Sequence, residues 1–313
     1  MKEIGGYPSL EQFVHNEYYT DVVAVNSARY ALLYLLKAKK IQKLYLPYFL
    51  CDSVARVCNL NHVAVEYYSI SPDFLPIFEK ELQDNTYLYI VNIYGQLDAS
   101  SVLRLKTKYH HIIWDNVQAF FQKPVHGVDT IYSCRKFFGV PDGGYLSSTA
   151  RLSEPLEADN SRDRMGYLLG RFEVSGSAYY AEYKATEEGF HETGLRAMSQ
   201  LTHNLLGAID YNAVRCRRNE NYAVLSEALG KTNQLQLRAD DGPYCYPYYC
   251  KNGMEAKRTL AKQGIYIPTF WPNVVALAPC LEKDYAENIL PLPCDQRYDK
   301  NDMTQIYSAI KCL

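Results

Sequence analysis

The stretch TYLYIVNIYGQLDASSVLRLKTKYHHIIWDN, residues 86–116, contains two apolar runs on either side of a helical segment. Residues 86–95 and 110–116 are predicted to form β-strands, because they are rich in β-branched and aromatic residues. Strands that are connected through a helix run parallel to each other. The same alternation continues in the runs 43–47, 62–70 and 129–134 and in a leucine-rich helix that opens at Ser27. The sequence therefore predicts an α/β fold with a mostly parallel, doubly wound sheet.

The pattern changes after the segment GGYLSST, residues 143–149. Residues 151–230 are predicted to be mostly helical. From about residue 240 a smaller α+β unit is expected, with a strand in PYCYPYYC, a helix in GMEAKRTLAKQG and a terminal helix from about Asn301. We therefore predict a large α/β domain over residues 1–230, with a helical extension from about 151, and a small C-terminal α+β domain over residues 231–313.

The composition narrows the class of protein. The 313 residues are 48% apolar with a formal net charge of −2, which is typical of a soluble globular chain and argues against nucleic acid as a partner. No apolar run is long enough to span a bilayer, and the first residues lack the apolar region of a signal peptide. The nine cysteines are scattered without CxxC pairs. We therefore expect a cytoplasmic protein with no membrane partner and no metal site.

Polar residues follow several of the predicted strands and helices at the places where a parallel sheet binds ligands. The helix start at Ser27 offers free backbone N–H groups and a hydroxyl to an anion. Asp115 follows a strand, where its carboxylate could hold a proton on a ring nitrogen or simply cap the next turn, and taken alone the cap is the better interpretation. For Asn92 and Tyr94, a turn role and a ligand role are equally compatible with the sequence.

The segment YSCRKFFGVPDGGYL, residues 132–146, places Ser133 and Lys136 after the next strand. A lysine among aromatic side chains is partly dehydrated, which lowers its pKa and makes its amine a usable nucleophile. An isolated lysine is more often a surface residue. However, an anion cradle, a ring-nitrogen carboxylate and an amine on one sheet edge are the set of groups that pyridoxal 5′-phosphate requires.

The sequence resembles the fold-type-I enzymes that use pyridoxal phosphate, and among them the DegT-like sugar aminotransferases. NSARYAL is similar to the family's phosphate turn, IIWDNVQAF to its Asp–Gln segment and YSCRKFFGVPDGGYL to its Lys-then-Gly-Gly segment. GIYIPTFW and ENILPLPCDQRY are similar to parts of its small domain. The resemblance implies an aminotransferase that aminates a keto-sugar, nucleotide-linked or not, with glutamate as the amino donor. The aromatic-rich surface, the 29 tyrosines and the long helical middle segment predict a homodimer with the active site near its interface.

The resemblance also implies roles for individual residues. Lys136 would hold the cofactor aldehyde as a Schiff base and move a proton, and Asp115 would keep the pyridine nitrogen protonated. Gln118 would contact the 3-hydroxyl side of the ring or the substrate. Arg196 would reach the cofactor phosphate across a dimer, although a solvated helix arginine is the alternative. The remaining assignments are Ser27, Ala28 and Ser133 to the phosphate, Tyr48, Phe49 or Cys51 to the ring face, and Asn92, Tyr94 and Trp271 to the substrate.

Two other functions remain compatible with the sequence. A lyase or dehydratase could use the same cofactor on the same scaffold, although the lysine at position 136 favours amination. A regulatory or binding protein could also retain the fold without turnover. The serine, lysine and aspartate at positions 133, 136 and 115 argue against that interpretation.

Overall fold

The structure of the protein is a computed structural model that describes residues 4, 6–13, 16–277 and 279–313. In this part of the chain, eight strands form one sheet in the order β1-β8-β7-β6-β5-β2-β3-β4, and two form a small antiparallel sheet. The eight are β1 (Val23–Val25), β2 (Lys43–Pro47), β3 (Ala64–Ile70), β4 (Pro76–Ile77), β5 (Thr86–Val91), β6 (Ile112–Asp115), β7 (Asp129–Ser133) and β8 (Gly144–Ser147). The small sheet contains β9 (Cys245–Tyr249) and β10 (Ile289–Pro293).

The centre of the main sheet is parallel, from β7 through β6, β5 and β2 to β3. The other strands, β1, β8 and β4, pair antiparallel at its two edges. Every residue of β6 and β7 is buried, as expected for parallel strands that are covered on both faces. The predicted fold, a mostly parallel α/β sheet with a smaller C-terminal α+β part, is confirmed.

The helices alternate with the strands in the first half and dominate residues 166–229. They are α1 (Ala28–Ala38), α2 (Asp52–Leu60), α3 (Ala99–Tyr109), α4 (Gly166–Glu173), α5 (Tyr180–Gly189), α6 (Gln200–Gly207), α7 (Tyr211–Leu229), α8 (Gly253–Lys262), α9 (Val274–Leu277), α10 (Cys280–Asn288) and α11 (Lys300–Lys311). No described helix is both long and apolar enough to cross a bilayer.

A second hydrophobic core lies apart from the core of the main sheet. Leu225 and Leu229 from α7 pack there with Leu260 from α8, Leu292 from β10 and Ile306 from α11. The long helix α7 therefore packs against the small sheet through this core. The domain boundary at residue 230 stays a prediction.

Candidate active site

The start of α1 forms a cup lined by polar groups. Ser27 is the N-cap residue, but its hydroxyl does not cap the helix, and its Oγ is buried without a hydrogen-bond partner. The helix closes through the Ser27 carbonyl, which accepts from Tyr30 and Ala31. A helix start carries free N–H groups and a partial positive charge. This corner of the sheet therefore presents a buried hydroxyl and backbone donors that the protein itself leaves unused.

A glycine brings the edge strand β8 against this helix start. A Cβ atom at Gly144 would lie 2.5 Å from the backbone nitrogen of Ala28 and 2.5 Å from the carbonyl carbon of Ser27, so only glycine allows the approach. Gly144 pairs with Ser133 at the end of β7. The side chain of Ser133 is buried and makes no helix-capping hydrogen bond. Ser27, Ala28 and Ser133, which were predicted to share an anion, thus meet at one corner of the sheet.

Asp115 ends β6, between β5 and β7. Its side chain is buried, and it accepts hydrogen bonds from the Val117 N–H at 2.9 Å and from the Tyr89 hydroxyl at 2.8 Å. Burial raises the pKa of this carboxyl, and the positive charge of Lys136 is the main influence that opposes the rise. The carboxylate is therefore oriented by two donors on the same sheet edge as the cup.

Lys136 lies in a 3-10 turn, Cys134–Lys136, that follows β7. Its side chain is half-buried, and it forms no ion pair with any residue the structure describes. Burial lowers the pKa of the amine, and the acidic groups of Asp115, Cys51, Glu187 and Cys245 partly oppose that effect. Its Nζ is 5.8 Å from the ring centroid of Tyr244. Burial thus moves both Lys136 and Asp115 toward their neutral forms.

Backbone hydrogen bonds connect the lysine turn to the cup. The Cys134 N–H donates to the carbonyl of Gly143 at 3.2 Å, and the Gly143 N–H donates to the carbonyl of Asn26 at 2.8 Å. Gly143 has a φ of +116°, which a residue with a side chain rarely adopts. The Gly-Gly pair predicted from sequence thus links the segment before Lys136 to the segment before Ser27.

The side chain of Gln118, from the turn after β6, bonds to the turn after β5 that contains Asn92 and Tyr94. Asn92 is fully buried, and its amide bonds to Leu97, Asn116 and Gln122. Tyr94 is also buried, with a φ of +53°, and its N–H donates to the Gln118 carboxamide oxygen at 2.7 Å. The polar atoms of Asn92 are engaged within the protein, so the structure places this residue in the turn.

The candidates for the ring face and the substrate separate into two groups. Cys51 and Tyr48 are half-buried, and Tyr48 stacks on Tyr67 with ring centroids 5.2 Å apart. Phe49 has no exposed surface, and Trp271 packs edge-on against it at 4.8 Å. The structure therefore does not leave Phe49 and Trp271 free for a ligand, because both side chains are buried in the core of the main sheet.

Arg196 lies beside the cup in its own chain. Its backbone exchanges hydrogen bonds with Asn26, at 3.1 Å from the Asn26 N–H to the Arg196 carbonyl and at 3.3 Å from the Arg196 N–H to the Asn26 side-chain oxygen. Its guanidinium pairs with Glu157 at 2.8 Å. A role for Arg196 in a neighbouring subunit stays a prediction.

Sequence reasoning missed two tyrosines of the site. Tyr89 orients Asp115 from the neighbouring strand, and a tyrosine inside an otherwise aliphatic strand end was the available signal. Tyr244 faces Lys136 from a segment more than a hundred residues further along the chain, and no local pattern could have linked the two. Within the described residues, no cluster of three or more His, Cys, Asp or Glu could hold a metal ion.

This arrangement of sheet and helices is shared with solved structures that include sugar aminotransferases. DesV from S. venezuelae, solved in complex with a ketimine intermediate, matches with a TM-score of 0.65 and 16% identity over 93% of this chain and 84% of its own. A DegT DnrJ EryC1 StrS aminotransferase from Brucella abortus matches with a TM-score of 0.63 and 16% identity over 93% and 85%. The sugar aminotransferase CalS13 from Micromonospora echinospora gives 0.61 and 17% over 93% and 87%.

The sequence matches no protein-family model and no curated protein. At the identities of the solved structures, the likeness establishes the fold. The predicted resemblance is confirmed at that level.

Proposed function

We propose that this protein is an aminotransferase that uses pyridoxal phosphate to transfer an amino group, with glutamate as donor, to a keto group on a sugar. One observation carries the proposal: the buried Ser27 hydroxyl, which has no partner among the described residues, the Asp115 carboxylate, which two donors orient, and the half-buried Lys136 side chain lie on one sheet edge. Solved proteins of the same fold include sugar aminotransferases and a PLP form, which supports the same chemistry here.

The residues present fit the cofactor. Its phosphate would be held by Ser27 and Ala28 at the start of α1 and by Ser133 at the end of β7, and the Ser27 hydroxyl has no hydrogen-bond partner among the described residues. Its ring nitrogen would face Asp115, and its aldehyde would be bound by Lys136. When bound, pyridoxal phosphate supplies an aldehyde that condenses with amines and a ring that accepts electrons from the substrate carbon.

Lys136 acts in this proposal as nucleophile and proton carrier. A neutral amine has the lone pair that bond formation requires, and burial favours that form at neutral pH. The same Nζ can take a proton from the substrate carbon and return it, since it emerges from the turn after β7 toward the cleft wall at Tyr244.

Asp115 acts by holding a proton on the ring nitrogen. Tyr89 and Val117 each donate to a different carboxylate oxygen and fix its plane. A cationic ring nitrogen nearby would favour the charged carboxylate and oppose the effect of burial. We also propose that Gln118 contacts the 3-hydroxyl side of the ring or the substrate through its amide group, since its carboxamide oxygen accepts from the Tyr94 N–H.

The further proposals concern assembly and substrate. We propose that the protein is cytoplasmic. We also propose that it is a homodimer, because α4 and the segment after it expose apolar side chains, with Phe172 91% and Val174 67% exposed. Arg196 is the proposed contribution of one subunit to its partner's phosphate site. Tyr48 and Cys51, which are both half-buried, are the proposed candidates for the ring face. The proposed acceptor is a small molecule.

Borohydride trapping tests the proposed function. After incubation with pyridoxal phosphate and reduction, peptide mapping should place one pyridoxyl group on Lys136, and the label should be absent from Lys136→Met. Lys257 provides the matched control, since it is also buried and burial lowers its pKa to about 8, yet it lies in the second core region. A label on Lys257, or none at all, would falsify the proposal. Ammonia release without an amino donor would instead indicate a lyase.

A further inference from the structure

A buried arginine, Arg218, lies next to the turn Cys134–Lys136 that carries the lysine. Arg218 of α7 is 1% exposed, and it forms no ion pair within the part of the chain that the structure describes. A buried charge is costly unless hydrogen bonds compensate for its lost hydration. The contacts of this guanidinium should therefore indicate what it does.

Arg218 joins two segments that are distant in sequence. Its Nη2 donates to the Phe137 carbonyl at 3.3 Å, and its Nη1 donates to the carbonyls of Pro243 at 2.8 Å and Tyr244 at 3.5 Å. Its Nε donates to the Gln296 side-chain oxygen at 2.8 Å, and the Gln296 amide donates to the same Phe137 carbonyl at 2.7 Å. The residue after Lys136 and the segment before β9 are thus fixed to each other by one guanidinium and its amide partner.

The side chains continue this connection as far as the amine. The Arg218 guanidinium lies 4.5 Å from the ring centroid of Phe137. The Phe137 ring packs against Tyr244 at 5.6 Å, and the Tyr244 ring lies 5.8 Å from the Nζ of Lys136. The Phe137 ring thus lies between the Arg218 guanidinium and the Tyr244 ring, and the Tyr244 ring lies next to the Lys136 amine.

We propose that Arg218 is a positioning residue, which holds the Tyr244 ring beside the half-buried Lys136 side chain and so limits the access of water to the amine. This inference deepens the proposed function and rests on it, because it concerns the same amine. The acidic groups that face the amine are Asp115, Cys51, Glu187 and Cys245, and none of them is in contact with Arg218 through a hydrogen bond described here. The separation of 5.8 Å is at the outer limit of a cation–π contact, so we expect exclusion of water to be the main effect of Tyr244.

Competitive acetylation of the full-length protein tests this inference. The rate of acetylation of Lys136 is followed against pH by peptide mass spectrometry, after hydroxylamine has removed any bound aldehyde. The variants are Arg218→Met, Tyr244→Ala and the double variant. Arg217→Met is the matched control, because Arg217 is exposed on the same helix and, among the described residues, pairs with the exposed Glu220 alone.

We expect Arg218→Met to raise the pKa of Lys136 by about one pH unit, so that its acetylation at pH 7 slows roughly tenfold. Tyr244→Ala should have the same effect, and the double variant should go no further, because both act through the Tyr244 ring. Arg217→Met should match the parent. The inference is overturned if Arg218→Met lowers thermal stability and leaves the pKa of Lys136 unchanged, or if the two effects add.

A second variant keeps the test decisive if Arg218→Met does not fold. Gln296→Leu removes the other donor to the Phe137 carbonyl without removing a buried charge, and we expect a smaller rise in the same pKa. The acetylation readout needs no cofactor. If the protein does not bind pyridoxal phosphate, the proposed function is contradicted, but the acetylation rates still show whether Arg218 affects the pKa of Lys136.

Discussion

At the scale of single residues, Ser27 differs from an ordinary helix cap. A serine at this position usually accepts a backbone N–H, and the loss of that bond destabilises the helix. Here the Oγ is buried and has no partner. A buried hydroxyl without a hydrogen bond costs about 1–3 kcal/mol. The side chain therefore serves something other than the stability of α1.

Ser27→Ala should separate stability from ligand affinity. We expect its free energy of unfolding in urea to be unchanged or up to about 1 kcal/mol higher, because an unsatisfied hydroxyl is removed. The affinity for pyridoxal phosphate, measured by absorbance titration, should fall about tenfold, which is the effect of losing roughly 1.4 kcal/mol.

Ser199→Ala is the contrasting variant. The Ser199 hydroxyl bonds to Asp142 at 2.8 Å and caps α6 through the Thr202 N–H. We expect it to lose about 1 kcal/mol of stability with unchanged cofactor affinity. If Ser27→Ala instead behaves like Ser199→Ala, the Ser27 hydroxyl belongs to the fold and not to a ligand.

The residues that the sequence could predict are those that follow apolar runs. Ser27, Asp115 and Lys136 each come directly after such a run, so the topology of a parallel sheet brings them to one edge. Phe49 and Trp271 were assigned to the site by the family resemblance, and in the structure their side chains are buried in the main core. An aromatic side chain suits a core and a pocket equally well, and only the path of the backbone decides between them.

At the scale of elements, the position of α1 depends on β8. The backbone of Gly144 lies so close to the first turn of α1 that a methyl group has no space. The atoms it would meet belong to the backbone of Ser27 and Ala28 and cannot rotate away.

Gly144→Ala should displace the helix start. We expect a loss of about 1–3 kcal/mol in the free energy of unfolding, together with weaker binding of pyridoxal phosphate, because overpacking shifts the backbone donors. Gly139→Ala is the matched control, since a Cβ there meets only the Leu168 side chain, at 3.8 Å. Equal stability of the two variants in urea would show that β8 can move without cost.

Element boundaries were predicted unevenly. The strand at residues 43–47 is found as predicted, because the apolar run ends at Pro47. The strand predicted for residues 86–95 ends at Val91. The Asn92 side chain there bonds to Leu97, and Tyr94 adopts a φ of +53°, so the chain turns at residues 92–95. These residues are buried as deeply as the strand, so the local signals of the turn are the polar Asn92 and the glycine at position 95.

At the scale of the whole molecule, a segment after α7 is attached to the turn that follows β5. Arg238 exchanges hydrogen bonds with Gln96, at 2.7 Å and 3.1 Å, and Asp240 accepts from Gln122 at 2.7 Å. The second carboxylate oxygen of Asp240 is buried without a partner, against Gly95. Burial raises the pKa of Asp240 from 3.8 to about 6, although Gln122 and Arg238 oppose the rise.

Asp240→Asn should make this attachment insensitive to pH. Since the pKa is higher in the folded state, the stability that Asp240 contributes is fully present below about pH 4 and is lost as the pH rises through 6. Between about pH 4 and pH 6 the free energy of unfolding of the variant should therefore rise relative to that of the parent, by at most roughly 3 kcal/mol. Urea unfolding at several pH values measures the difference in the free energy of unfolding between the variant and the parent. A difference that stays constant with pH would contradict the assigned cause.

The cup at the start of α1 is built from parts that the chain brings together only when folded: Ser27, Ser133 and Gly144. An unfolded chain has no such cup, so a ligand that occupies it binds the native state alone. At a concentration about one hundred times its dissociation constant, such a ligand adds about 2.7 kcal/mol to the free energy of unfolding. A change of that size alters how much of a protein is degraded in a cell. With pyridoxal phosphate as that ligand, the abundance of this protein would follow the supply of its cofactor.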